Sequence, residues 1–446
     1  MKKIMMMGAV CVVSVSLLVS ACGKTENPSS TPTSLATSTP AAQQVVKLKW
    51  WGGTPPENGP QSVVDKWNAA NKDIQVEYVR FVNDESGNTK LDTALLSNND
   101  APDLFISYAD SYLDRRTRAG MAEPLDDLIK KTGFDLDGVI GSENAKKKDG
   151  KIYSLPGAKN LVLMMINKSS LDAVGEKVPF DWTWDDYAAL AKKLTKPGQF
   201  GAFTEPGWAP LATYVMMSAQ PKNTYYAADG TSDFNHPAFK KGLEIQKDML
   251  DAKALPPYAE SVANKITGQD QLLTGKVAMA LTGTYLIRYV KDDSAYPNRK
   301  YQIAFAPVPQ LEKGKNVNSG GFTDEISINA KSPNKETAMK FLSWYLNEGN
   351  MNMVPGGRIP SNKKADVNKL SDMLIGDKGQ YFDKDSFMKV LKGNYTFAFN
   401  TNTTAANEIG KAVQEESEKY FMNKQTSDQT VEALKKKADQ AIKAAK

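Results

Sequence analysis

Short apolar segments of strand length alternate with amphipathic helical segments along most of this chain. Residues 45–51 and 74–79 have the composition of strands, and residues 61–70 between them carry apolar side chains at helical spacing. Residues 91–97 are again helical, and the apolar run 103–107 follows as a buried strand. Strands that alternate with helices are typical of α/β proteins, so we predict an α/β fold whose sheet is mainly parallel.

The same alternation continues in the second half of the chain. Thr183, followed three residues later by Asp186, has the pattern of a helix cap and predicts the start of a helix. Residues 277–281 have the composition of a short buried strand. Apolar side chains on one face between residues 338 and 346 predict a further helix.

The composition excludes several classes of function. Lys and Arg number 56 and Asp and Glu 51, which leaves a formal net charge of only +5 on 446 residues. Nucleic-acid-binding proteins usually concentrate basic charge on one face, and this excess is too small to predict one. Two Cys and one His argue against a zinc or haem site, a disulfide scaffold and a Cys–His catalytic pair. We therefore expect no metal, no cofactor and no nucleic-acid partner.

The N-terminus has the pattern of a secretory signal. Lys2 and Lys3 precede an apolar run over residues 4–19, which is short for a membrane span. The following Val-Ser-Ala-Cys, ending at Cys22, resembles the lipobox of bacterial lipoproteins. The resemblance implies a signal peptide over residues 1–21, cleavage before Cys22 and lipid, including palmitate, on that residue. The alternative is a plain signal peptide whose Cys follows small residues by chance.

Residues 22–44 are predicted to form a lipidated Cys followed by a flexible linker. Between residues 23 and 44 there are nine Ser or Thr and three Pro, without a periodic apolar pattern. Such a segment buries too little surface to offset the entropy lost on ordering. We therefore expect the linker to hold a folded body close to the outer face of the cell membrane, as a lipid-anchored extracellular protein.

The order of several short motifs resembles the extracellular solute-binding proteins of ABC importers, family 1, which are maltose-binding-protein-like. The resemblance covers residues 45–446. The motifs are Trp-Trp-Gly at 50–52, Asn-Asp-Ala-Pro-Asp-Leu at 99–104, Gly-Lys-Ile-Tyr-Ser-Leu-Pro at 150–156, Ile-Asn-Lys at 166–168, Thr-Trp-Asp at 183–185, Gly-Lys-Val-Ala-Met at 275–279, Met-Lys-Phe-Leu at 339–342 and Gly-Arg-Ile-Pro at 357–360. Each motif alone is weak, whereas all of them in the family's order behind a lipobox are a strong signal.

The resemblance implies a two-lobe, type II periplasmic-binding-protein-like fold with the ligand in the cleft between the lobes. Lobe 1 would comprise residues 45–157 and 320–378, and lobe 2 residues 158–319 and 379–446. Crossing strands would form the hinge, and the lobes would close on the ligand. The closed form would then deliver the ligand to the membrane permease subunits, without chemistry on the ligand and as a monomer.

Aromatic and polar residues near the predicted strand ends indicate a carbohydrate, more specifically an oligosaccharide. Aromatic rings stack on the apolar faces of a sugar, and carboxylates, amides and Arg bind its hydroxyls. The candidates for ring contacts are Trp51, Tyr108, Trp208, Tyr285 and Phe322. The candidates for hydroxyl binding are Asp110, Asn160, Glu205 and Arg358. Asn160 falls where family members can carry a carboxylate on the crossing strand, and Tyr285 where the family often has a stacking Trp.

Two other classes of function stay open at this point. A secreted glycosidase needs two carboxylates across a cleft, for which Asp110 and Glu205 are the candidates. A binding protein for another solute, such as a polyamine or a metal chelate, would carry more acids than rings in its cleft. The segment 229–233 faintly resembles a calcium loop but lacks the remaining ligands, so we predict a turn there.

Overall fold

The structure, a computed structural model, describes residues 45–97, 100–206 and 209–445. Its strands, in chain order, are β1 (Val46–Gly52), β2 (Ile74–Arg80), β3 (Leu104–Ser107), β4 (Lys147–Lys148), β5 (Lys151–Ile152), β6 (Leu155–Asn160), β7 (Val162–Asn167), β8 (Phe200–Phe203), β9 (Val277–Gly283), β10 (Ile303–Pro307), β11 (Val317–Asn318), β12 (Gly321–Ile328), β13 (Ile359–Pro360) and β14 (Thr396–Phe397).

The α-helices of the described residues alternate with these strands. In chain order they are α1 (Pro60–Ala70), α2 (Glu85–Leu96), α3 (Asp110–Arg118), α4 (Asp126–Thr132), α5 (Leu136–Val139), α6 (Lys168–Ala173), α7 (Trp184–Leu194), α8 (Leu211–Ala219), α9 (Pro237–Asp251), α10 (Tyr258–Ala263), α11 (Gly268–Leu273), α12 (Ile287–Val290), α13 (Lys335–Asn347), α14 (Val367–Ile375), α15 (Lys384–Leu391), α16 (Ala406–Phe421) and α17 (Ser427–Ala444). Short 3-10 helices cover Pro56–Asn58, Ser142–Asn144, Thr284–Leu286, Gly349–Gly356 and Gly379–Tyr381.

Two mixed sheets organise the fold. The first has the strand order β13-β6-β12-β3-β1-β2, and the second the order β10-β7-β9-β8. In the first sheet β1 is parallel to β2 and β3, whereas β12 runs antiparallel to both β3 and β6. In the second sheet only the β8–β9 pair is parallel.

The prediction of a mainly parallel sheet is therefore wrong, although the α/β class is correct. The alternation of strands and helices reports on neighbours along the chain, and it identified the parallel β1, β2 and β3. It could not show that β12 returns from the second sheet and enters the first in the opposite direction. Such long-range returns depend on tertiary packing and leave no local pattern.

Apolar side chains of both sheets pack against the surrounding helices. Trp50 of β1 is fully buried and makes edge contacts with Phe341 and Tyr345 of α13. The opposite face of the first sheet packs on α2 through Leu91 and Leu95. The second sheet packs on α7, α8 and α9, and a further apolar cluster joins α8 and α9 to α16 and α17.

The predicted helix cap at Thr183 is confirmed. Its hydroxyl accepts a hydrogen bond from the Asp186 backbone N–H at 3.1 Å, and the Asp186 carboxylate accepts one from the Thr183 N–H at 2.9 Å. In contrast, α2 begins at Glu85 and not at residue 91, because the Asp84 side chain caps it by accepting from the Gly87 N–H at 2.7 Å. The first turn of α2 is polar, so apolar periodicity could not reveal it.

Two segments pass between the sheets near one another. Only Leu161 separates β6 of the first sheet from β7 of the second, and the chain returns through β11 to β12. Gly320 lies in this return, where a Cβ would stand 2.0 Å from the carbonyl oxygen of Asn160. The close approach of the two segments therefore requires glycine at this position. The lobe boundaries predicted from the sequence stay a prediction.

Several predictions fall outside the described residues: the signal peptide over 1–21, the linker over 22–44 with Cys22, and the aromatic candidate Trp208. Within the described ranges, none of the helices combines the length and the apolar character that a membrane span needs.

Candidate functional site

A cavity of about 240 Å³ lies where β3 ends, beside the middle of β12. We call it the strand-end cavity. Its lining residues are Ser107, Tyr108, Ala109, Asp110, Lys146, Phe322, Thr323 and Glu325. In open α/β sheets, ligands bind beyond the carboxyl ends of the parallel strands, and β3 is parallel to β1. The cavity is therefore in the position where this architecture usually binds a ligand.

Three residues predicted from the sequence come together in this cavity: Tyr108, Asp110 and Phe322. Tyr108 follows β3 directly, and Asp110 is the first residue of α3. Phe322 is the second residue of β12, 214 positions later in the chain than Tyr108. The two rings and the carboxylate give the cavity both an apolar surface and a hydrogen-bond acceptor, which together suit a sugar ring.

Lys146 connects two carboxylates on the cavity wall. Its ammonium contacts the Asp110 carboxylate, and it lies 3.1 Å from Oε1 of Glu325. Burial lowers the pKa of Lys146, but the charges of Glu325 and Asp110 more than offset it, so the pKa is raised above its ordinary value. The other oxygen of Glu325 accepts a hydrogen bond from the Ser154 hydroxyl at 2.6 Å.

The hydroxyl of Tyr108 points into the protein. It accepts a hydrogen bond from the Gly53 N–H at 2.7 Å, just after β1. Burial raises the pKa of Tyr108, as does the charge of Asp324. The ring is 6.3 Å from that of Phe81. Because these contacts fix the ring at the strand ends, it forms a rigid part of the cavity wall.

Arg358 lies behind the cavity and not on its wall. Its Nε is 3.0 Å from Oδ2 of Asp324, and the two side chains are 18% and 4% exposed. Asp324 sits in the middle of β12 with a φ of 56°, a left-handed conformation that is uncommon for a residue other than glycine. Burial lowers the pKa of Arg358, whereas Asp324 and neighbouring tyrosines raise it, with a net rise. The structure thus gives Arg358 a buried carboxylate partner that the sequence did not predict.

Trp51 takes part in apolar packing. Its side chain packs with Phe81, Leu91, Leu95 and Phe105 on the face of the first sheet that α2 covers. It is absent from the lining of the strand-end cavity. The reason is strand alternation: Trp50 points to one face of the sheet and Trp51 to the other.

Three further predicted residues gather near the second sheet. The Asn160 side chain accepts a hydrogen bond from the Thr284 hydroxyl at 3.3 Å, at the end of β9. The next residue, Tyr285, receives a hydrogen bond from the Thr282 hydroxyl at 3.0 Å. Burial raises the pKa of Tyr285, and the negative charge of Glu205 contributes to this rise. Asn160, Glu205 and Tyr285 therefore lie in one neighbourhood.

Glu205 is held by the start of α11. Its Oε2 accepts a hydrogen bond from the Gly268 N–H at 2.9 Å. Burial raises the pKa of Glu205 most strongly, the hydrogen bond from Gly268 lowers it, and Asp270 raises it, with a net rise. Its candidate neighbour in the sequence, Trp208, lies outside the described residues.

Sequence reasoning missed Lys146 and Glu325. Lys146 opens a run of three lysines, which looks like a solvated surface segment. Glu325 offered a usable signal, because an acidic residue within the otherwise apolar end of a strand is rarely buried without a partner. Among the described residues there is no group of three or more His, Cys, Asp or Glu side chains placed to hold a metal ion.

Comparisons with known proteins agree with this geometry. The family model of the bacterial extracellular solute-binding proteins matches residues 53–352. Among curated proteins, an arabinooligosaccharide-binding protein of Bacillus subtilis is 24% identical over 288 residues, covering 63% of this chain and 64% of that protein. An uncharacterized lipoprotein of Streptomyces antibioticus is 23% identical over 305 residues, covering 65% and 64%. The chain thus spans less than two thirds of the length of these relatives.

Solved structures show the same fold. An ABC substrate-binding protein from Listeria monocytogenes, in complex with cycloalternan, superimposes with a TM-score of 0.73 at 20% identity, over 90% of this chain and 99% of that one. The sugar-binding protein MalE from Xanthomonas citri gives 0.70 at 14% identity, over 90% and 98%. The predicted two-lobe fold of the type II periplasmic binding proteins is therefore confirmed. Because the family model matches residues 53–352, this chain belongs to the bacterial extracellular solute-binding proteins.

Proposed function

We propose that this protein binds a carbohydrate, most specifically an oligosaccharide, and delivers it to the permease of an ABC importer. The observation that carries the proposal is the strand-end cavity, where the rings of Tyr108 and Phe322 stand beside the carboxylates of Asp110 and Glu325. Rings and carboxylates in one cavity match the apolar faces and the hydroxyl rim of a sugar. A relative in Bacillus subtilis bears the name arabinooligosaccharide-binding protein, and one in Streptococcus mutans the name multiple sugar-binding protein.

The second part of the proposed site is the neighbourhood of Asn160, Glu205 and Tyr285. Glu205 and Tyr285 follow the ends of β8 and β9 of the second sheet, and Asn160 ends β6 of the first, so we propose that a ligand longer than one sugar contacts residues beside both sheets. Trp208 belongs to this proposal because it follows Glu205 by three residues. Replacing Trp208 by Ala should weaken ligand binding by about 1–3 kcal/mol, by analogy with base–aromatic stacking.

The proposed mechanism is capture by lobe closure, with no reaction of the ligand. The two segments that pass between the sheets would form part of the hinge, with Gly320 close against Asn160, and the chain would cross between the lobes a third time near residue 378. The proposed lobes are residues 45–157 with 320–378, and 158–319 with 379–446. Asp110 lies in the strand-end cavity and Glu205 is held at the start of α11, so the described residues offer no contact that favours the glycosidase alternative. We propose binding without catalysis, and we propose that the protein acts as a monomer.

We also propose that the protein is a lipoprotein at the extracellular face of the cell membrane, anchored through lipid on Cys22. The support is the lipobox-like sequence before Cys22, together with the extracellular description of the family and one relative named a lipoprotein. Radioactive palmitate should label the protein in cells and should not label the Cys22→Ala variant. Label that persists in this variant would refute the anchor.

A thermal-shift panel tests the proposed ligand class. The Cys22→Ala chain is mixed with maltotriose, xylotriose, arabinotriose and galactotriose, and in parallel with spermidine and a tripeptide. A ligand that binds only the folded state raises the midpoint of unfolding. We expect at least one trisaccharide to raise it. A rise with spermidine or the tripeptide, and with none of the sugars, would refute the carbohydrate proposal.

A further inference from the structure

We propose that Glu325 determines specificity in the strand-end cavity: its carboxylate oxygen Oε1, which is ion-paired with Lys146, accepts a further hydrogen bond from a ligand hydroxyl and disfavours ligands that present a carboxylate there. This inference rests on the proposed function, because it assigns a role within the same site. It concerns a residue that was not among the candidates predicted from the sequence.

The position of Glu325 is unusual for a charged side chain. It lies in β12, inside the first sheet, where it pairs with Ser107 of β3 on one side and with Pro156 of β6 on the other. The side chain is only 3% exposed, yet it lines the strand-end cavity. Burying a carboxylate is costly unless its oxygens have hydrogen-bond or ionic partners, so the partners of Glu325 indicate its role.

The two oxygens of Glu325 differ in their partners. Oε2 accepts the hydroxyl of Ser154 at 2.6 Å, which fixes the orientation of the carboxylate. Oε1 is buried and is ion-paired with Nζ of Lys146 at 3.1 Å, and among the described residues it has no further hydrogen-bond donor. Since Lys146 lines the cavity and Ser154 does not, the oxygen with spare acceptor capacity is on the cavity side.

Asp110 supplies a second acceptor next to this oxygen. Lys146 contacts both carboxylates, so the two acceptors are held on either side of one ammonium group. Lys159 is also nearby, but its ammonium lies over the ring of Phe322, 5.2 Å from the centroid. A ligand that reaches Glu325 must therefore offer a donor.

A sugar hydroxyl meets this requirement, and the carboxylate of a uronic acid does not. A hydroxyl donates to a carboxylate in a charge-assisted hydrogen bond. A ligand carboxylate at neutral pH has no hydrogen to donate, and it would add a like charge beside Glu325 and Asp110. When the wrong ligand leaves a buried polar group of the site without a partner, the site discriminates strongly against that ligand.

Calorimetry with matched variants tests the inference. The probes are maltotriose, xylotriose, arabinotriose and galactotriose as neutral sugars, and trigalacturonate as the acidic one. The variants are Glu325→Gln and the control Glu123→Gln. The control changes a carboxylate that pairs with Lys335 and is not part of the lining of the strand-end cavity. Glu325→Gln should weaken the best neutral trisaccharide at least about tenfold, the loss expected for one charge-assisted hydrogen bond. Glu123→Gln should leave its binding unchanged, and trigalacturonate should bind the parent more weakly than that trisaccharide.

The outcomes separate the two proposals. If a neutral trisaccharide binds the parent and Glu325→Gln equally well, or if trigalacturonate binds as tightly, the inference is wrong and the proposed function stands. If no neutral trisaccharide binds the parent, the proposed function fails and the inference fails with it. Should Glu325→Gln not fold, a crystal structure of the parent with its trisaccharide decides: we expect a sugar hydroxyl within hydrogen-bond distance of Glu325 Oε1, and its absence would overturn the inference.

Discussion

The side chain of Asn318 bonds to both backbone groups of Val162. Its Nδ2 donates to the Val162 carbonyl at 2.8 Å, and its Oδ1 accepts from the Val162 N–H at 3.1 Å. The same Oδ1 accepts from the Gly320 N–H at 2.8 Å. Val162 begins β7 and Asn318 ends β11, so one fully buried side chain joins the two segments that run between the sheets.

Replacing Asn318 by Ala should destabilise the protein by about 2–4 kcal/mol, because it leaves buried backbone groups of Val162 and Gly320 without partners. Urea unfolding measures the change. Asn347→Ala is the matched control: this exposed side chain donates to the Ser343 carbonyl, and its loss should cost less than about 0.5 kcal/mol. Equal effects of the two substitutions would contradict the role of Asn318.

Arg358→Met should destabilise the protein by about 3–5 kcal/mol, because it leaves the buried carboxylate of Asp324 unpaired. Adding Asp324→Asn should recover part of the loss, since Asn also tolerates the left-handed backbone at this position. Lys364→Met removes the partner of an exposed pair with Asp135 and should cost at most about 1 kcal/mol.

Denaturant unfolding and sugar binding, measured on the same variants, separate two roles of Arg358. A loss of affinity without a loss of stability in Arg358→Met would show that this side chain contacts the ligand, as the sequence analysis predicted. We expect the reverse: a large loss of stability, because the structure pairs Arg358 with Asp324.

The stability of the protein should depend on pH through Glu205. Its pKa is raised from 4.5 in the folded state, so the folded state holds this proton more tightly than the unfolded state. The corresponding stability is fully present below pH 4.5 and is lost as the pH rises through the higher folded pKa. The free energy of unfolding of the parent minus that of Glu205→Gln should therefore fall as the pH rises above 4.5. A difference that stays flat or rises over this range would contradict the burial of Glu205.

Two substitutions at Tyr108 separate the roles of its ring and its hydroxyl. Tyr108→Phe removes the acceptor of the Gly53 N–H and should cost about 1 kcal/mol of stability while leaving sugar affinity nearly unchanged. Tyr108→Ala should in addition weaken sugar binding by about 1–3 kcal/mol, by analogy with base–aromatic stacking. Unfolding curves and calorimetry on both variants provide the measurement. Affinity that falls equally in both variants would mean that the ring is not the binding surface.

The sequence predicted the features that depend on neighbouring residues. The cap formed by Thr183 and Asp186 spans one turn of helix, and it is confirmed. Tyr108 and Asp110 follow a strand end that was recognisable from its apolar run, and both line the strand-end cavity.

The features that were missed depend on contacts between distant parts of the chain. Glu325 meets Ser154 across 171 positions, and Arg358 meets Asp324 only because β12 is enclosed by the first sheet. No local pattern records such a pairing. For the same reason the direction of β12, and with it the mixed character of the sheet, could not be predicted.

The most direct test of the account is a calorimetric titration of the Cys22→Ala chain with the four neutral trisaccharides, beside spermidine. The account predicts saturable one-to-one binding of at least one trisaccharide, which Tyr108→Ala weakens. Saturable binding of spermidine, with no heat from any of the sugars, would contradict it.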